Sequence, residues 1–288
     1  MKYAELVRQG QAKLFKAGVA NSDFDAWVLV EKICNISRTE YFIKMHDPVD
    51  EEVVGRYFAA IDKRITHYPL QYILGEWEFM GLTFKVNEKV LIPRQDTEIL
   101  AEKAVNIIST VFENYNGEVK VLDLCTGSGC VGISIGKMCK NTRVLCADIS
   151  EEALSVCKEN IELNNAENVT LIKSNLFDNI EGKFNVIVCN PPYIKTDVID
   201  TLMIEVKDHE PRMALDGGED GLKYYREIID VLKNYLEYDG YILFEIGREQ
   251  AEEVKEMLRV HAYTELQVLK DLLNNDRAVV GVRRKQYV

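Results

Sequence analysis

Residues 121–130 read Val-Leu-Asp-Leu-Cys-Thr-Gly-Ser-Gly-Cys. A short apolar strand runs into a turn with two glycines, and the segment after it, GISIGKMC, has the composition of a buried helix. Gly127 and Gly129 fall where strand becomes helix. Without a Cβ they let the backbone pass close to a ligand. Tight strand–helix turns also contain glycine for steric reasons alone, so the turn needs a partner before it implies chemistry. Asp148 supplies one. It ends the next strand pattern, RVLCADI, 21 residues after Gly127. A carboxylate at that edge can accept hydrogen bonds from both hydroxyls of a ribose, so the pair predicts a nucleotide-type ligand. Gly132 completes a G-x-G-x-x-G spacing but falls inside the helix, and the glycines alone leave a dinucleotide fold open.

On either side of this turn the pattern alternates strand and helix. The strand readings are KVLDL, RVLCADI, VTLIKS, FNVIVCN, GYILFEI, TELQVL and RAVVGVRR. Between them lie helical stretches: EEALSVCKENIELN, GLKYYREIIDVLKNYL and REQAEEVKEMLRV. That order predicts a mostly parallel, doubly wound α/β sheet. Ahead of it, Asp96 or Thr97 is placed to cap the helix TEILAEKAVNIISTVF. Residues 1–70 read differently, as amphipathic helices over 2–18, after Ser22 as a cap, and over EEVVGRYFAAIDKRITH. EWEFMGLTFKV then alternates around Gly81, as a hairpin would. The organisation expected is a helical domain over 1–75, a hairpin linker over 76–92 and a catalytic domain over 93–288.

Composition narrows the class. The chain has 288 residues with 47% hydrophobic and 28% charged, as in soluble globular proteins, and no apolar run of membrane-spanning length. The N-terminus lacks the apolar core of a signal peptide, so a cytoplasmic protein is expected. Seven cysteines with no C-x-x-C pair suggest reduced thiols rather than a disulfide framework or zinc site, and four scattered histidines suggest no metal centre. The net charge of −12 argues against a broad grip on nucleic-acid phosphates. Residues 1–90 are nearly balanced, with 12 Lys/Arg against 13 Asp/Glu, so the excess lies beyond them.

The second informative stretch is FNVIVCNPPYI, residues 184–194. The apolar run has the length of a strand buried on both faces, and two prolines without N–H donors must end its ladder. Asn190, Pro191, Pro192 and Tyr193 therefore sit at a strand's C-terminal edge, where open α/β sheets bind ligands. An Asn before proline is also a common turn former. Coupled to Gly127 and Asp148, the chemical reading is preferred. Asn190-Pro-Pro-Tyr193 resembles the N-P-P-Y motif of methyltransferases acting on planar nitrogens, adenine amino groups or the glutamine amide, and that resemblance implies a target whose nitrogen is a poor nucleophile because its lone pair is delocalised. The Asn190 side-chain oxygen and the Pro191 carbonyl can accept its two N–H bonds, orient it and stabilise the charge that develops on it. Tyr193 can pack on the planar target.

These residues resemble known motifs. Asp123 to Gly129, D-x-C-x-G-x-G, is similar to the D-x-G-x-G-x-G turn of class I S-adenosylmethionine-dependent methyltransferases, with Cys125 in place of the first glycine. With PLQYILGEWEFMGLTFKVNEKVLIPRQDTEIL and EPRMALDGGEDGL, nearly the whole chain looks like the HemK/PrmC family. Its members are protein-(glutamine-N5) methyltransferases acting on class-1 peptide-chain release factors. Gln95 departs from the usual I-P-R-P-D-T-E. The resemblance implies a class I (Rossmann-like) methyltransferase fold, a seven-stranded mostly parallel sheet with a small N-terminal helical domain. It implies S-adenosyl-L-methionine contacts from Cys125, Thr126, Gly127, Ser128, Gly129, Asp148, Leu176 and Asn190. Substrate contacts would come from Asn190 to Tyr193, with Asn190 and Pro191 catalytic and no metal. Three readings stay open beside it: a glutamine methyltransferase for a ribosomal protein, an adenine-N6 methyltransferase, and a noncatalytic binding module. The stretch Glu210–Gly221 reads equally as a lid over the substrate or as a surface turn.

Overall fold

The computed structural model describes residues 1–285. The chain divides into two compact units, one of Met1–Gly75 with Met203–His209, the other of Glu76–Leu202 with the residues from Glu210 onward. The first unit holds α1 (Tyr3–Lys16), α2 (Ser22–Cys34), α3 (Arg38–Lys44), α4 (Glu51–Arg64) and α5 (Leu70–Leu74). Leu6, Leu14, Leu29, Tyr57 and Ile61 are its fully buried centre. Ser22 is the first residue of α2 and Asn21 its cap, one position ahead of the expected start. The short α3 adds to the helices expected from periodicity, and Ser37 and Glu40 form its capping box. Arg64 is buried, and its guanidinium donates to Asp25 at 2.7 Å, Glu205 at 2.6 Å and the Tyr68 carbonyl at 3.3 Å. Burial pushes the Asp25 carboxyl up against the pull of Arg64. Glu205 and its neighbours thus belong to the helical unit through a buried charge, which no sequence pattern signals.

The second unit opens with the hairpin β1 (Glu76–Phe79) and β2 (Leu82–Lys85), turning at Met80–Gly81. α6 (Gln95–Val111) follows, and its N-cap is Arg94 rather than Asp96 or Thr97. Thr97 is instead buried inside the first turn. Gln95 is the first helical residue, where the fixed φ of proline is ready for a helix and its missing N–H costs nothing. That position explains the proline of the usual motif.

Next come β3 (Val119–Leu124), α7 (Cys130–Met138), β4 (Thr142–Asp148), α8 (Glu151–Leu163), β5 (Val169–Lys173) and β6 (Phe184–Cys189). The single turn α9 (Ile204–Lys207) lies in the segment assigned to the first unit. The chain then forms α10 (Lys223–Leu232), β7 (Leu236–Glu245), α11 (Ala251–Val260), β8 (Tyr263–Lys270) and β9 (Asp276–Arg283). α10 stops at Leu232, short of the expected run to Leu236, because Leu236 already pairs with Phe184 in the sheet.

The sheet has seven strands in the order β5-β4-β3-β6-β7-β9-β8. β9 is antiparallel to both neighbours and the other pairings are parallel. Every residue of β6 is buried. Val186 and Val188 enter the core on one face of the sheet, Ile187 and Cys189 that on the other, as period-two alternation requires. The chain winds outward from β3 to β5 and returns to β6 on the far side of β3. The winding direction therefore reverses between β3 and β6, where doubly wound sheets leave a crevice. Leu124 is in register with Cys189, and also with Ala147. The turns after β3, β4 and β6 emerge side by side.

Candidate active site

At that edge lies a cavity of about 220 Å³. Its lining includes Cys125, Thr126, Gly127, Ser128, Asp148, Leu176 and Asn190, which the sequence singled out, and Pro192. Gly129 is not in the wall. Its φ of +83° opens α7, and a Cβ there would meet Cys157 Sγ at 2.3 Å. Pro191 is buried and Tyr193 only partly exposed; neither lines the cavity.

Buried Asp123 fixes the turn from beneath. Its Oδ2 accepts from the Thr126 hydroxyl at 2.5 Å and the Gly132 N–H at 2.9 Å. Burial outweighs these bonds and pushes its carboxyl up to about 7. Gly132, expected only to complete a spacing, has a packing role: an added Cβ would lie 2.5 Å from Cys146 Sγ and 2.8 Å from Asp123 Oδ2.

Asp148 holds the turn from the side. Oδ2 accepts from the Gly127 N–H and Oδ1 from the Ser150 N–H, both at 2.9 Å. Burial raises its pKa while these amides lower it. Each oxygen keeps further acceptor capacity, so the carboxylate remains suited to a ribose diol. A Cβ on Gly127 would meet nothing within 4 Å, so the cavity leaves room beside the backbone. Apolar Val90, Ile92, Ile149 and Leu176 supply surface for a base. The residues fit an adenosine-bearing cofactor.

Two lining residues adopt left-handed backbone: Cys125 at φ +61° and Leu176 at φ +47°. The Ser174 hydroxyl donates to the Leu176 carbonyl at 2.7 Å and holds the second in place. Strain of this kind clusters at ligand sites. Cys125 fits by size, but its φ is the one glycine adopts without cost. Cys125→Gly is expected to stabilise the fold by about 1 kcal/mol. Urea unfolding that finds the variant no more stable would remove the strain.

Sequence reading missed part of the wall. The stretch Glu88–Arg94 lines the cavity; Pro211, Met213 and Ala214 also line it, from the segment whose sequence reads equally as a lid or a surface turn. Arg94 pairs with Glu210, so the 210–221 segment begins under an ion pair at the cavity edge. Glu245 was also missed. It is buried at the end of β7, accepts from the Tyr193 hydroxyl at 3.3 Å, and burial pushes its carboxyl up to about 7. Thr97 and Tyr193 hydroxyls and Arg277 oppose that shift, while Asp96 adds to it. In sequence it reads only as the lone polar residue near the end of the apolar strand GYILFEI.

The sign for stability follows from a folded-state pKa raised above the ordinary 4.5. Glu245 favours folding fully below about pH 4.5, and that contribution is lost as pH rises toward about 7. Glu245→Gln, which cannot ionise, is expected to lose less stability between pH 5 and pH 8 than the parent, with Asp123 leaving a residual slope of the same sign. Parallel losses in urea titrations at the two pH values would show that Glu245 is not the group responsible.

Family models match in two places: the PrmC N-terminal domain over residues 5–75 and the methyltransferase small domain over residues 101–212. A release factor glutamine methyltransferase of Clostridium acetobutylicum is 41% identical over 263 residues, covering 90% of each chain. One from Clostridium botulinum is 39% identical over 279 residues, covering 96% of this chain and 97% of its own. This chain belongs to the release factor glutamine methyltransferase family. Membership bears out the resemblance carried by the two motifs, and the chain is a methyltransferase. A methyltransferase structure from Pyrococcus furiosus, 18% identical, matches with a TM-score of 0.52 over 82% of this chain and all of its own, which supports the class I fold. Among the described residues no helix is long and apolar enough to cross a membrane.

Proposed function

We propose that this protein transfers the methyl group of S-adenosyl-L-methionine to the side-chain N5 of a glutamine, the one in the Gly-Gly-Gln motif of class-1 peptide-chain release factors, in the cytoplasm. The single observation that carries the reading is the register Leu124–Cys189, which sets the Asp148-braced glycine turn beside Asn190 in one cavity. The cofactor supplies an electrophilic methyl on a sulfonium. Asp148 binds the ribose hydroxyls, Gly127 lets the backbone lie close, and Leu176 packs on the adenine. The Asn190 side-chain oxygen and the Pro191 backbone carbonyl accept the two N–H bonds of the target amide. They aim its nitrogen lone pair at the methyl and stabilise the positive charge that develops on it until one of its N–H protons passes to water, the cofactor leaving as the neutral thioether S-adenosylhomocysteine. Pro191 needs only its carbonyl for this, which suits a buried side chain. Tyr193 supports the motif through Glu245 more than it covers the substrate. The helical unit over 1–75 serves substrate recognition.

The test is transfer of a labelled methyl group from S-adenosylmethionine to purified release factor, followed by mass mapping. A parallel release factor has the motif glutamine replaced. Label on that glutamine, lost in the replaced sample, is the expected result. Cofactor binding without any label would send the assignment to another amide or amine substrate.

A further inference from the structure

Five residues beyond the end of β7, the Gln250 side chain occupies a junction between three segments. Its Nε2 donates to the Tyr193 carbonyl and to the Gly221 carbonyl, each at 3.1 Å, and its Oε1 accepts from the Gly247 N–H at 2.9 Å. The amide orientation is fixed by chemistry, since the reverse would set an oxygen against two carbonyls. Gln250 is also the N-cap residue of α11, yet its side chain makes no bond to its own helix. Side chains at such positions ordinarily satisfy the first helical N–H groups. Here the amide is used between loops instead.

The two loops it joins each carry lining residues of the cavity, Asn190 and Pro192 on one and Pro211 and Met213 on the other. Beyond Tyr193 the backbone pairs with the 210–221 segment: Ile194 N–H to Leu215 at 3.0 Å, Gly217 N–H to Ile194 at 2.8 Å, and Thr196 N–H to Gly218 at 3.0 Å. The two segments approach so closely that a Cβ on Gly217 would lie 2.7 Å from the Tyr193 Cα, and one on Gly221 2.4 Å from the Tyr193 carbonyl oxygen. The segment is therefore a fixed wall, in contact with the motif and extending to Met213 in the cavity lining. Gln250 is the side chain that closes this pairing against the sheet.

We propose that Gln250 is a positioning residue for methyl transfer: by bonding the Tyr193 and Gly221 carbonyls together and to Gly247, it sets the position of Asn190 and Pro191 relative to the bound cofactor. The inference rests on the functional reading above, in which Asn190 and Pro191 hold the target amide. Gln250 does not line the cavity. Its effect must therefore appear in the reaction step and not in cofactor affinity.

Two variants test it, assayed with S-adenosylmethionine and release factor well below their melting temperatures. Gln250→Met keeps the packed volume and removes both donors. It is expected to lower kcat about 100-fold, the scale of an ångström-level misplacement, with cofactor affinity by calorimetry unchanged. Gln250→Glu places a carboxylate against two carbonyls and is expected to fall below Gln250→Met at pH 8. As pH drops, the introduced carboxyl regains one donor on protonation, and kcat should climb back relative to the parent, which a merely structural role would not produce. An active parent beside an equally active Gln250→Met overturns the inference alone. So does a Gln250→Met that loses cofactor affinity as steeply as kcat. A parent that transfers nothing to release factor overturns the functional reading and this inference with it.

Discussion

Asn190→Ala is expected to lower kcat for methyl transfer by about 10²- to 10³-fold, the cost of deleting one preorganised hydrogen-bonding group from a site that stabilises developing charge. The loss should fall on kcat because the Asn190 oxygen matters most when the amide nitrogen becomes positive and its N–H groups more acidic. Cofactor affinity should largely survive. Asp148 ends β4 and the Gly127 amide lies on the turn after β3, and their mutual bond at 2.9 Å involves no atom of Asn190. The fold should survive as well, since Asn190 is only partly buried at the end of a strand whose six residues all stay in place. The check is steady-state kinetics on release factor together with calorimetric titration of S-adenosylmethionine. Equal losses of affinity and turnover would refute the division of roles between the two turns.

Gly132→Ala is expected to destabilise the protein by about 2–3 kcal/mol, although glycine to alanine in a helix interior ordinarily stabilises by about 1 kcal/mol. The reversal comes from the neighbours. The added Cβ would sit 2.5 Å from Cys146 Sγ, 2.8 Å from Asp123 Oδ2 and 3.0 Å from Asp123 Cβ. Cys146 is fully buried and Asp123 nearly so, which leaves neither an easy way to move. Displacing Asp123 also breaks its bonds to the Thr126 hydroxyl and the Gly132 N–H, so the cofactor turn should loosen and affinity for S-adenosylmethionine should fall with stability. Gly55→Ala is the internal comparison. Gly55 lies exposed in α4 with nothing within 4 Å of an added Cβ, so the same substitution should stabilise by about 0.5–1 kcal/mol. Urea unfolding of both variants decides it. Two stabilising changes would mean that propensity, not the Asp123 contact, governs Gly132.

Most of the cofactor turn was legible because its chemistry is local. Gly127, Gly129 and Asp148 announce themselves by residue type and spacing, and each strand that carries them has its own apolar pattern. The N-P-P-Y motif was legible for a similar reason, since two prolines stop a ladder wherever they stand. Helix limits were less so. Asp96 and Thr97 are good caps by type, yet the helix begins at Gln95 and Thr97 is drawn inward beside Glu245. Tertiary burial overrode the local preference.

The amino-acid sequence by itself determined the alternation of strands and helices, the glycine turn with its acidic partner and the position of Asn190 at a strand end, because these rest on period, backbone permissiveness and hydrogen-bonding capacity within a few residues. Only the tertiary structure decided that Gly132 must lack a side chain, that Glu245 stands behind Tyr193, that Arg94 meets Glu210, and that Gln250 joins Tyr193 to Gly221. Each of those is a contact between different elements of the fold, and all but the Gly132 contacts join segments far apart in the chain. Its partner is chosen by strand order and register, which bring together residues that no local pattern relates.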